Sequence, residues 1–463
     1  MKSTKKRNKS QESRESSNSL PTLFPDTAGI DIGSKSHFVA VPSDRDSDPV
    51  KEFSTFTSSL HEMVNWLKKC EIKTVIMEST GVFWIPAFEL LESNGFEVKL
   101  VNARHVKNVS AHKTDVLDCQ WLQQLGTFGL VKGAFRPANA ILPLRAYLRQ
   151  RDMLIKSAAE HIQHMQKALT QMNIHLHNVV SDITGKTGMA IIRNIVAGVT
   201  DPKTLAALRD GRCHSSEEII EASLVGNYRE EHLFVLKQSL NLYDYYAKTL
   251  EECDFQIEKE VKKLEIKCTP ETIKDLEEKQ PKETRKNKKL QKHAYGFDLR
   301  SELIRTTGVD LTQIPSIGAS TALTIVSEIG LDMSRWKSAK HFASWLGLSP
   351  GNKVSGGKRL SGKTKPCANR VAIALRVAAN TLYQSQCAFG AFLRRMKGRL
   401  GSPKAITALA HKLAKLIYMM LKYGVEYVEK GVEFYENMYK KRREASLKKK
   451  AAELGYELVQ KVA

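Results

Sequence analysis

Short apolar runs and amphipathic segments alternate between about Thr27 and Gly133. AGIDI, HFVAVP and VKEFSTF are rich in β-forming residues, and a Gly-Ser-Lys turn separates the first two runs. SSLHEMVNWLKKC, VFWIPAFELLESNG and TDVLDCQWLQQLG have the apolar spacing of helices. KTVIME is a compact apolar run expected of a central strand, and EVKLV supplies a further strand. The predicted order of elements is therefore βββαβαβα.

This order predicts an α/β domain with an RNase H-like, or RuvC-like, fold. The first strands are expected to form an antiparallel meander. The crossover helices that follow would place the two later strands parallel to the first strand.

Strand signals stop after about Leu142. LRAYLRQRDMLIKSAAEHIQHMQKALTQMNI and EEHLFVLKQSLNLYDYYAKTLEECDFQIEKEVKKLE carry apolar residues at helical spacing between charges. This pattern predicts two long helices that pack as an antiparallel pair or a coiled coil. GMAIIRNIVAGVTDPKTLAAL predicts a smaller helical insertion between them. The charged run from Leu276 to His293 predicts a linker or a basic surface strip.

The last third, from about Leu299 to Val432, is predicted to be mainly helical with one loop-rich interruption. The predicted organisation has five segments. They are a disordered basic arm (1–25), the α/β domain (26–140), a helical coiled-coil region with its basic linker (141–298), a mainly α C-terminal domain (299–435) and a basic helical tail (436–463).

Lysine and arginine outnumber the acidic residues 72 to 50, which gives a formal charge of +22. Such an excess favours nucleic acid over an anionic membrane surface, because each neutralised phosphate releases condensed counterions. Neither an apolar signal region nor an apolar run of about 18 residues occurs, so no membrane association is expected. Candidates for a basic face in the C-terminal helices are Arg370, Arg376, His411, Lys412 and Lys415.

The chain has seven widely scattered cysteines, and no two of them form a CxxC pair. This usage argues against a disulfide framework and against a structural zinc site. It fits a reducing compartment such as the cytosol.

Four carboxylates fall at positions that could converge in such a sheet. Asp31 interrupts the apolar strand AGIDI, where a buried charge is costly unless something compensates it. Glu78 ends the neighbouring parallel strand, and Asp115 and Asp118 share one face of a helix at i and i+3. Several converging carboxylates are the ligands that Mg²⁺ uses in two-metal phosphoryl chemistry. The set predicts a metal-dependent site for DNA strand chemistry.

IPSIGASTALTIVSEIG has the form of a helix-hairpin-helix. A tight turn at Ser316–Gly318 would leave backbone N–H groups at the start of the next helix, a geometry that suits a phosphate. Gly318 is the predicted contact. Because Ser316 replaces the first glycine of the usual PGIG turn, a plain helix N-terminus in a core remains an alternative.

WLGLSPGNKVSGGKRLSGKTKPCANR is rich in Gly, Ser and Lys and predicts an exposed loop. Gly356 and Gly357 would allow close backbone approach to a ligand. A serine needs activation to act as a nucleophile, and the residues alone choose only weakly among Ser349, Ser355 and Ser361. The alternative interpretation is a basic loop that contacts RNA or DNA and has no catalytic serine. The cations expected to bind a strand backbone are Lys358, Arg359, Lys363 and Lys365.

AGIDIGSKSHFVAV, VIMESTGVFW, VNARHVKNVSAHKTDVLDCQWL, IPSIGASTALTIVSEIG and SGGKRLSGKTKP resemble motifs of one family, in the family's order. The family is the DEDD transposases of the "one-ten" insertion-sequence group, which includes the Piv-type DNA invertases. The similarity covers residues 26–432. The letters DEDD fall on Asp31, Glu78, Asp115 and Asp118.

The resemblance implies a RuvC-like DEDD domain, a coiled-coil region and a C-terminal transposase domain whose nucleophile is Ser355, which forms a phosphoserine link to DNA. It implies Mg²⁺ or Mn²⁺ at the four carboxylates. The implied partners are double-stranded donor and target DNA, a structured non-coding bridge RNA that pairs with both, and further copies of the chain in a homodimer or homotetramer. The implied location is the bacterial or archaeal cytoplasm, at the nucleoid.

Three other functions remain alternatives. A RuvC-type nuclease or junction resolvase would use metal-activated water and form no covalent intermediate. A non-catalytic nucleic-acid-binding protein would keep the fold without needing metal. GIDIGSK also resembles the first phosphate loop of actin-like ATPases and sugar kinases, but no second glycine-rich loop of the DxG type follows it.

Overall fold

The computed structural model describes residues 20–79, 81–102, 114–268, 271, 293–424, 431–457 and 459. Most of the predicted arm (1–25) and all but the last residue of the predicted linker (276–293) lie outside them. The chain divides between Arg136 and Pro137 into two compact units. Within the described residues no helix combines the length and the apolar character needed to span a bilayer.

The first unit is built on one sheet with helices. Its strands are β1 (Thr27–Ile32), β2 (Ser36–Ala40), β3 (Val50–Ser54), β4 (Thr74–Glu78) and β5 (Glu97–Val101), and its helices are α1 (Thr57–Lys69), α2 (Trp84–Ser93) and α3 (Asp115–Thr127). The strand order is β3-β2-β1-β4-β5. β2 is antiparallel to β1 and β3, whereas β4 is parallel to β1 and β5 is parallel to β4. The element order and the strand directions agree with the prediction, and the mixed sheet is consistent with an RNase H-like domain.

Alternate residues of the central strands face opposite sides of the sheet. Ala28, Ile30 and Met77 belong to a buried cluster shared with α1 and α2. On the other face, Ile76 packs in a separate cluster with Leu122 of α3. The sheet is therefore covered on both sides, which explains the nearly continuous apolar runs of β1 and β4.

α3 lies very close to β1 because glycines occupy the contact. A Cβ atom on Gly29 would lie 2.2 Å from the carbonyl oxygen of Cys119 and 2.4 Å from the backbone nitrogen of Gln123. A Cβ atom on Gly126 would lie 2.5 Å from Cγ2 of Thr27. Since the end of α3 lies beside the start of β1, the helix runs antiparallel to the strand. Its first turn therefore lies toward the carboxyl end of β1.

The second unit is mainly helical. Its N-terminal part contains α4 (Leu142–Gln171), α5 (Leu176–Val179), α6 (Lys186–Val196), α7 (Pro202–Ala206), α8 (Glu217–Ser223) and α9 (Glu230–Lys263). Its C-terminal part contains α10 (Leu299–Thr307), α11 (Ala319–Ile329), α12 (Ala339–Trp345), β6 (Lys353–Ser355), β7 (Lys358–Ser361), α13 (Arg370–Thr381), α14 (Ala388–Leu400), α15 (Ser402–Tyr423) and α16 (Gly431–Glu453).

α4 and α9 form the predicted long pair. Cys253 of α9 donates a hydrogen bond of 3.3 Å to the carbonyl oxygen of Tyr147, near the start of α4. Further along, the rings of His161 and Tyr246 stack with centroids 5.4 Å apart. Since late residues of α9 meet early residues of α4, the pair is antiparallel. The insertion between them is helical as predicted, and α6 buries Ile191 and Ile192 in a core that both long helices share.

α15 is the central helix of the C-terminal part. Leu409, Leu413 and Ile417 are fully buried along one of its faces. The buried hydroxyl of Tyr418 donates a hydrogen bond of 2.8 Å to the carbonyl oxygen of Trp336.

The Gly-, Ser- and Lys-rich segment corrects one prediction. It was expected to be a loop, but it contains a two-stranded antiparallel hairpin made of β6 and β7. Local apolar periodicity is absent because both faces of the hairpin are exposed, as Val354 and Leu360 show. Without a buried face, strands leave no alternating pattern in the sequence.

Candidate active site

Asp31 and Glu78 lie at the ends of adjacent parallel strands. The register pairs Ile30 of β1 with Met77 of β4, and the two acidic residues come next on their strands. Residues at matching positions of neighbouring strands point to the same face. Both carboxylates therefore occupy the face that α3 covers, and both residues are half-buried.

The first turn of α3 brings the other two carboxylates toward this edge. Thr114 caps the helix by accepting a hydrogen bond from the backbone N–H of Leu117 at 3.3 Å. Asp118 is half-buried and Asp115 is exposed. Because Cys119 lies against Gly29, the residues one turn earlier lie toward Asp31.

The raised pKa of the Cys119 thiol indicates that Asp31 and Asp118 lie near this sulfur atom. Burial, together with the negative charges of Asp31 and Asp118, raises the pKa of this thiol to about 12. Both charges therefore act on one buried sulfur atom at the contact between β1 and α3.

The donors at this edge fit a hard divalent cation, since all are carboxylate oxygens. In the part of the chain that the structure describes, however, no three His, Cys, Asp or Glu side chains are close enough together to hold a metal ion. The fold thus places Asp31, Glu78, Asp115 and Asp118 at one edge without drawing them into a ligand set.

Ser355 lies at the end of β6, next to a tight turn in the second unit. It pairs with Lys358 across the hairpin, so that Gly356 and Gly357 alone form the turn. Their φ angles are 53° and 73°. Positive φ at both central residues is the geometry of a type I′ hairpin turn, which glycine adopts without strain. These glycines were predicted to let a ligand approach the backbone closely. They also form the turn that fixes the backbone next to Ser355.

The three serines considered for this segment differ in exposure. Ser355 is exposed, and its side chain forms no hydrogen bond with another described residue. Ser361 is half-buried and accepts a hydrogen bond of 3.2 Å from the backbone N–H of Lys363. Ser349 is half-buried before the hairpin begins.

The hairpin and its stem also carry the predicted cations. The side chains of Lys358, Lys363 and Lys365 are exposed. Arg359 lies in β7 beside them in sequence. At the stem, the backbone N–H of Gly351 donates a hydrogen bond of 2.9 Å to the carbonyl oxygen of Lys363.

The predicted helix-hairpin-helix turn is present between α10 and α11. Ser316 has a φ of 74°, in the left-handed region that the usual glycine of this turn would favour. Gly318 is exposed at the N-cap position of α11, and no side chain caps this helix end. A Cβ atom on Gly318 would have nothing within 4 Å, so the space before the helix is open. The turn therefore keeps the geometry in which N–H groups face outward.

Sequence reasoning missed two groups of residues that shape these sites. Gly29 and Gly126 set the distance between α3 and β1. Arg145, Arg149 and Glu328 form ion pairs beside Arg370, the first residue after the cap of α13. The glycines could have been found as small residues on a strand and a helix that both carry candidate ligands. The ion pairs join residues far apart in sequence and left no local signal.

The chain thus combines an α/β domain that has acidic residues at adjacent strand ends with a helical region that carries an exposed serine. The family model DEDD_Tnp_IS110, described as a transposase, matches residues 28–174. A second, described as the Transposase IS116/IS110/IS902 family, matches residues 310–393. The chain belongs to this IS110 family of insertion-sequence transposases. No curated protein matches the chain.

The two matched regions contain the two candidate sites. The first includes all four carboxylates, and a DEDD transposase domain implies dependence on divalent metal in general. The second includes the helix-hairpin-helix turn and the Ser355 hairpin. Membership also implies that the protein acts on DNA.

Proposed function

We propose that this transposase is a bridge-RNA-guided recombinase that cuts and rejoins donor and target DNA. Ser355 is its nucleophile, and Asp31, Glu78, Asp115 and Asp118 are the residues that would hold the divalent metal on which the reaction depends. The observation that carries the proposal is the placement of Ser355, exposed beside a rigid two-glycine turn in a family-matched region. An unhindered hydroxyl on a fixed backbone is what attack on a bulky substrate requires.

The chemistry is an exchange of phosphate esters. Oγ of Ser355 forms a bond to the phosphorus of a DNA phosphodiester while the bond from phosphorus to one ester oxygen breaks. The serine gives up its hydroxyl proton, and the departing DNA oxygen takes up a proton to become a free hydroxyl. Since one ester replaces another, the hydroxyl of a second DNA end can reverse the exchange and rejoin the strands without an external energy source.

Mg²⁺ or Mn²⁺, when bound, would supply neutralisation of charge on the phosphate oxygens. The four carboxylates would hold it, since their oxygens are suitable ligands. The hairpin cations and the backbone glycines hold the DNA through its phosphates, which positions the strand without reading its bases. These contacts are Gly318, Gly356, Gly357, Lys358, Arg359, Lys363 and Lys365.

A covalent-adduct assay tests the nucleophile. Purified protein with its RNA and end-labelled DNA is expected to form a labelled protein band that survives denaturation. Ser355→Ala is expected to abolish this band, and Ser361→Ala, a matched change on the same hairpin, is expected to keep it. Chelation of divalent metal and Asp31→Asn are each expected to abolish it too. Cleavage of DNA without any adduct would instead indicate a nuclease that uses water, and it would refute the role of Ser355.

RNA guidance and self-association follow from the family resemblance and have separate support. The formal charge of +22 suits a polyanionic partner. α9 exposes Phe234, Leu242 and Tyr245, which could pack against a second copy of the chain. Sequencing of RNA that co-purifies with the protein should recover one structured species encoded beside the gene. Light scattering should give a dimer or tetramer, and a monomer would contradict the assembly.

The domain organisation is part of the same proposal. Residues 26–140 form the RuvC-like DEDD domain, 141–298 the coiled-coil region and 299–435 the transposase domain. The boundary between the two compact units, at Arg136 and Pro137, lies close to the first of these limits. The arm (1–25) and the tail (436–463) are basic extensions.

A further inference from the structure

A buried carboxylate lies among three arginines where α4, α11 and α13 meet. Glu328 is 8% exposed, and Arg149 binds it through two hydrogen bonds of 3.1 Å. Nε of Arg145 lies 3.0 Å from Glu328 Oε2, and Nε of Arg370 lies 3.6 Å from Oε1. Arg370 also forms an ion pair with Asp152. These five residues are called the arginine cluster below.

The arginine cluster carries an excess of positive charge. Its three guanidinium groups face two carboxylates, so one positive charge is left over. Burial lowers the pKa of Arg145, and the charges of Arg149 and Arg370 lower it further against the attraction of Glu328. Burial and the charge of Arg149 also lower the pKa of Arg370. The arginines are thus close enough to repel one another, and a further anion would relieve that repulsion.

Hydrogen-bond donors in the cluster also exceed the acceptors. The two carboxylates offer about eight acceptor positions, and the three guanidinium groups offer about fifteen N–H donors. The side chains of Arg149 and Arg370 are 46% and 34% exposed, so their remaining donors reach solvent. Planar, partly exposed guanidinium groups with spare donors suit a ligand with several anionic oxygens, such as a phosphate.

The cluster adjoins the segment that carries Ser355. Arg370 begins α13, and Cys367, three residues earlier, lies against Gly347 at the stem of the hairpin. The positive end of the α13 dipole adds to the field there, although Asn369 already caps the first N–H groups. A strand held by the arginines would therefore be held beside the base of the nucleophile's segment.

We propose that the arginine cluster binds a backbone phosphate of the DNA strand on which Ser355 acts, and so positions that strand. Arg149 and Arg370 make the contact, and Glu328 holds the guanidinium groups in place while reducing their charge. The inference rests on the proposed function, which supplies the DNA strand. The cluster is a positioning group and does not touch the reacting atoms.

Salt dependence of DNA binding tests the proposal on the full-length protein. The probe is a fluorescein-labelled DNA duplex of arbitrary sequence, titrated at several salt concentrations. Since log K falls as log salt rises, the slope is taken as the magnitude of this fall, and one lost phosphate contact lowers it by about 0.9. Arg149→Gln is therefore expected to reduce the slope by about this amount. Glu328→Gln, which removes a neutralising charge, is expected to raise it.

Two further variants separate this effect from a structural one. Arg193→Gln is the matched control, because Arg193 also binds a carboxylate through two hydrogen bonds, of 2.7 Å to Asp244, and is 51% exposed. Its slope should equal that of the wild type. If Glu328→Gln does not fold, Asp152→Asn frees Arg370 at the surface and should raise the slope in its place, because Asp152 is 43% exposed.

Opposite changes in slope for Arg149→Gln and Glu328→Gln support phosphate binding. If the cluster were purely structural, both variants would lose stability and neither would change the slope. Unchanged slopes in folded Arg149→Gln and Asp152→Asn would overturn the proposal. So would a change seen with single-stranded RNA but not with the duplex. The adduct assay distinguishes failure of the proposed function from failure of this inference. A missing Ser355 adduct refutes the proposed function, whereas the slopes test phosphate binding by the cluster independently.

Discussion

Gly29→Ala is expected to damage the acidic site without touching any of its carboxylates. The new Cβ atom would lie 2.2 Å from the carbonyl oxygen of Cys119, whereas ordinary contacts begin at 3.4 Å. Because that oxygen is part of the α3 backbone, no side-chain rotation relieves the clash. The helix must therefore move away from β1 by about 1.2 Å, the difference between these distances.

Asp115 and Asp118 move with α3, while Asp31 and Glu78 stay on the sheet. A displacement of about 1 Å within an active site can cost about 10²-fold in rate. Overpacking at the contact should also cost on the order of 1–3 kcal/mol of unfolding free energy. Gly126→Ala should cost less, because the closest atoms there belong to side chains that can shift.

The rate of adduct formation at saturating DNA and metal measures the first effect, and thermal unfolding measures the second. Gly133→Ala is the control in the same unit, since its Cβ atom would lie 3.8 Å from the nearest atoms. Gly133→Ala should match the wild type in both assays. A Gly29→Ala variant with wild-type rate and stability would refute the close contact between α3 and β1.

Two more predictions concern the serine turn and a buried histidine. Gly357→Ala should slow adduct formation more than Gly357→Asn, because φ is 73° and asparagine accepts left-handed backbone more readily; equal rates would contradict this. Burial lowers the pKa of His37 below its ordinary 6.5. The unfolded chain then binds more protons, so this contribution to stability is complete above about pH 6.5 and falls as the pH drops below it. His37→Leu should weaken the acid dependence of thermal unfolding, and the same change at exposed His61 should not.

The order and direction of the strands in the first unit were predictable from the sequence. The apolar runs of β1 and β4 are short and nearly unbroken, since α1 and α2 cover one face and α3 the other. Asp31 and Glu78 stand out because each interrupts or ends such a run. A parallel pairing then brings both to one edge whatever the details of packing.

The hairpin at Ser355 was missed as regular structure for a different reason. Its order comes from Gly356 and Gly357 at positive φ, and not from a buried face. Glycine is compatible with a tight turn and also with an irregular loop, so composition alone does not separate them. The same ambiguity explains why the residues alone could not choose among the serines.

Local sequence patterns were sufficient to predict the kinds of element, their order, the positions of the four candidate carboxylates and the basic character that suits nucleic acid. These follow from local periodicity and composition, which need no knowledge of distant residues. The contact of α3 with β1 through Gly29 could be seen only in the folded chain, and the same holds for the ion pairs of Arg145, Arg149 and Arg370 with Glu328. Such contacts join residues remote in the chain, and steric fit and charge balance in the folded core select them.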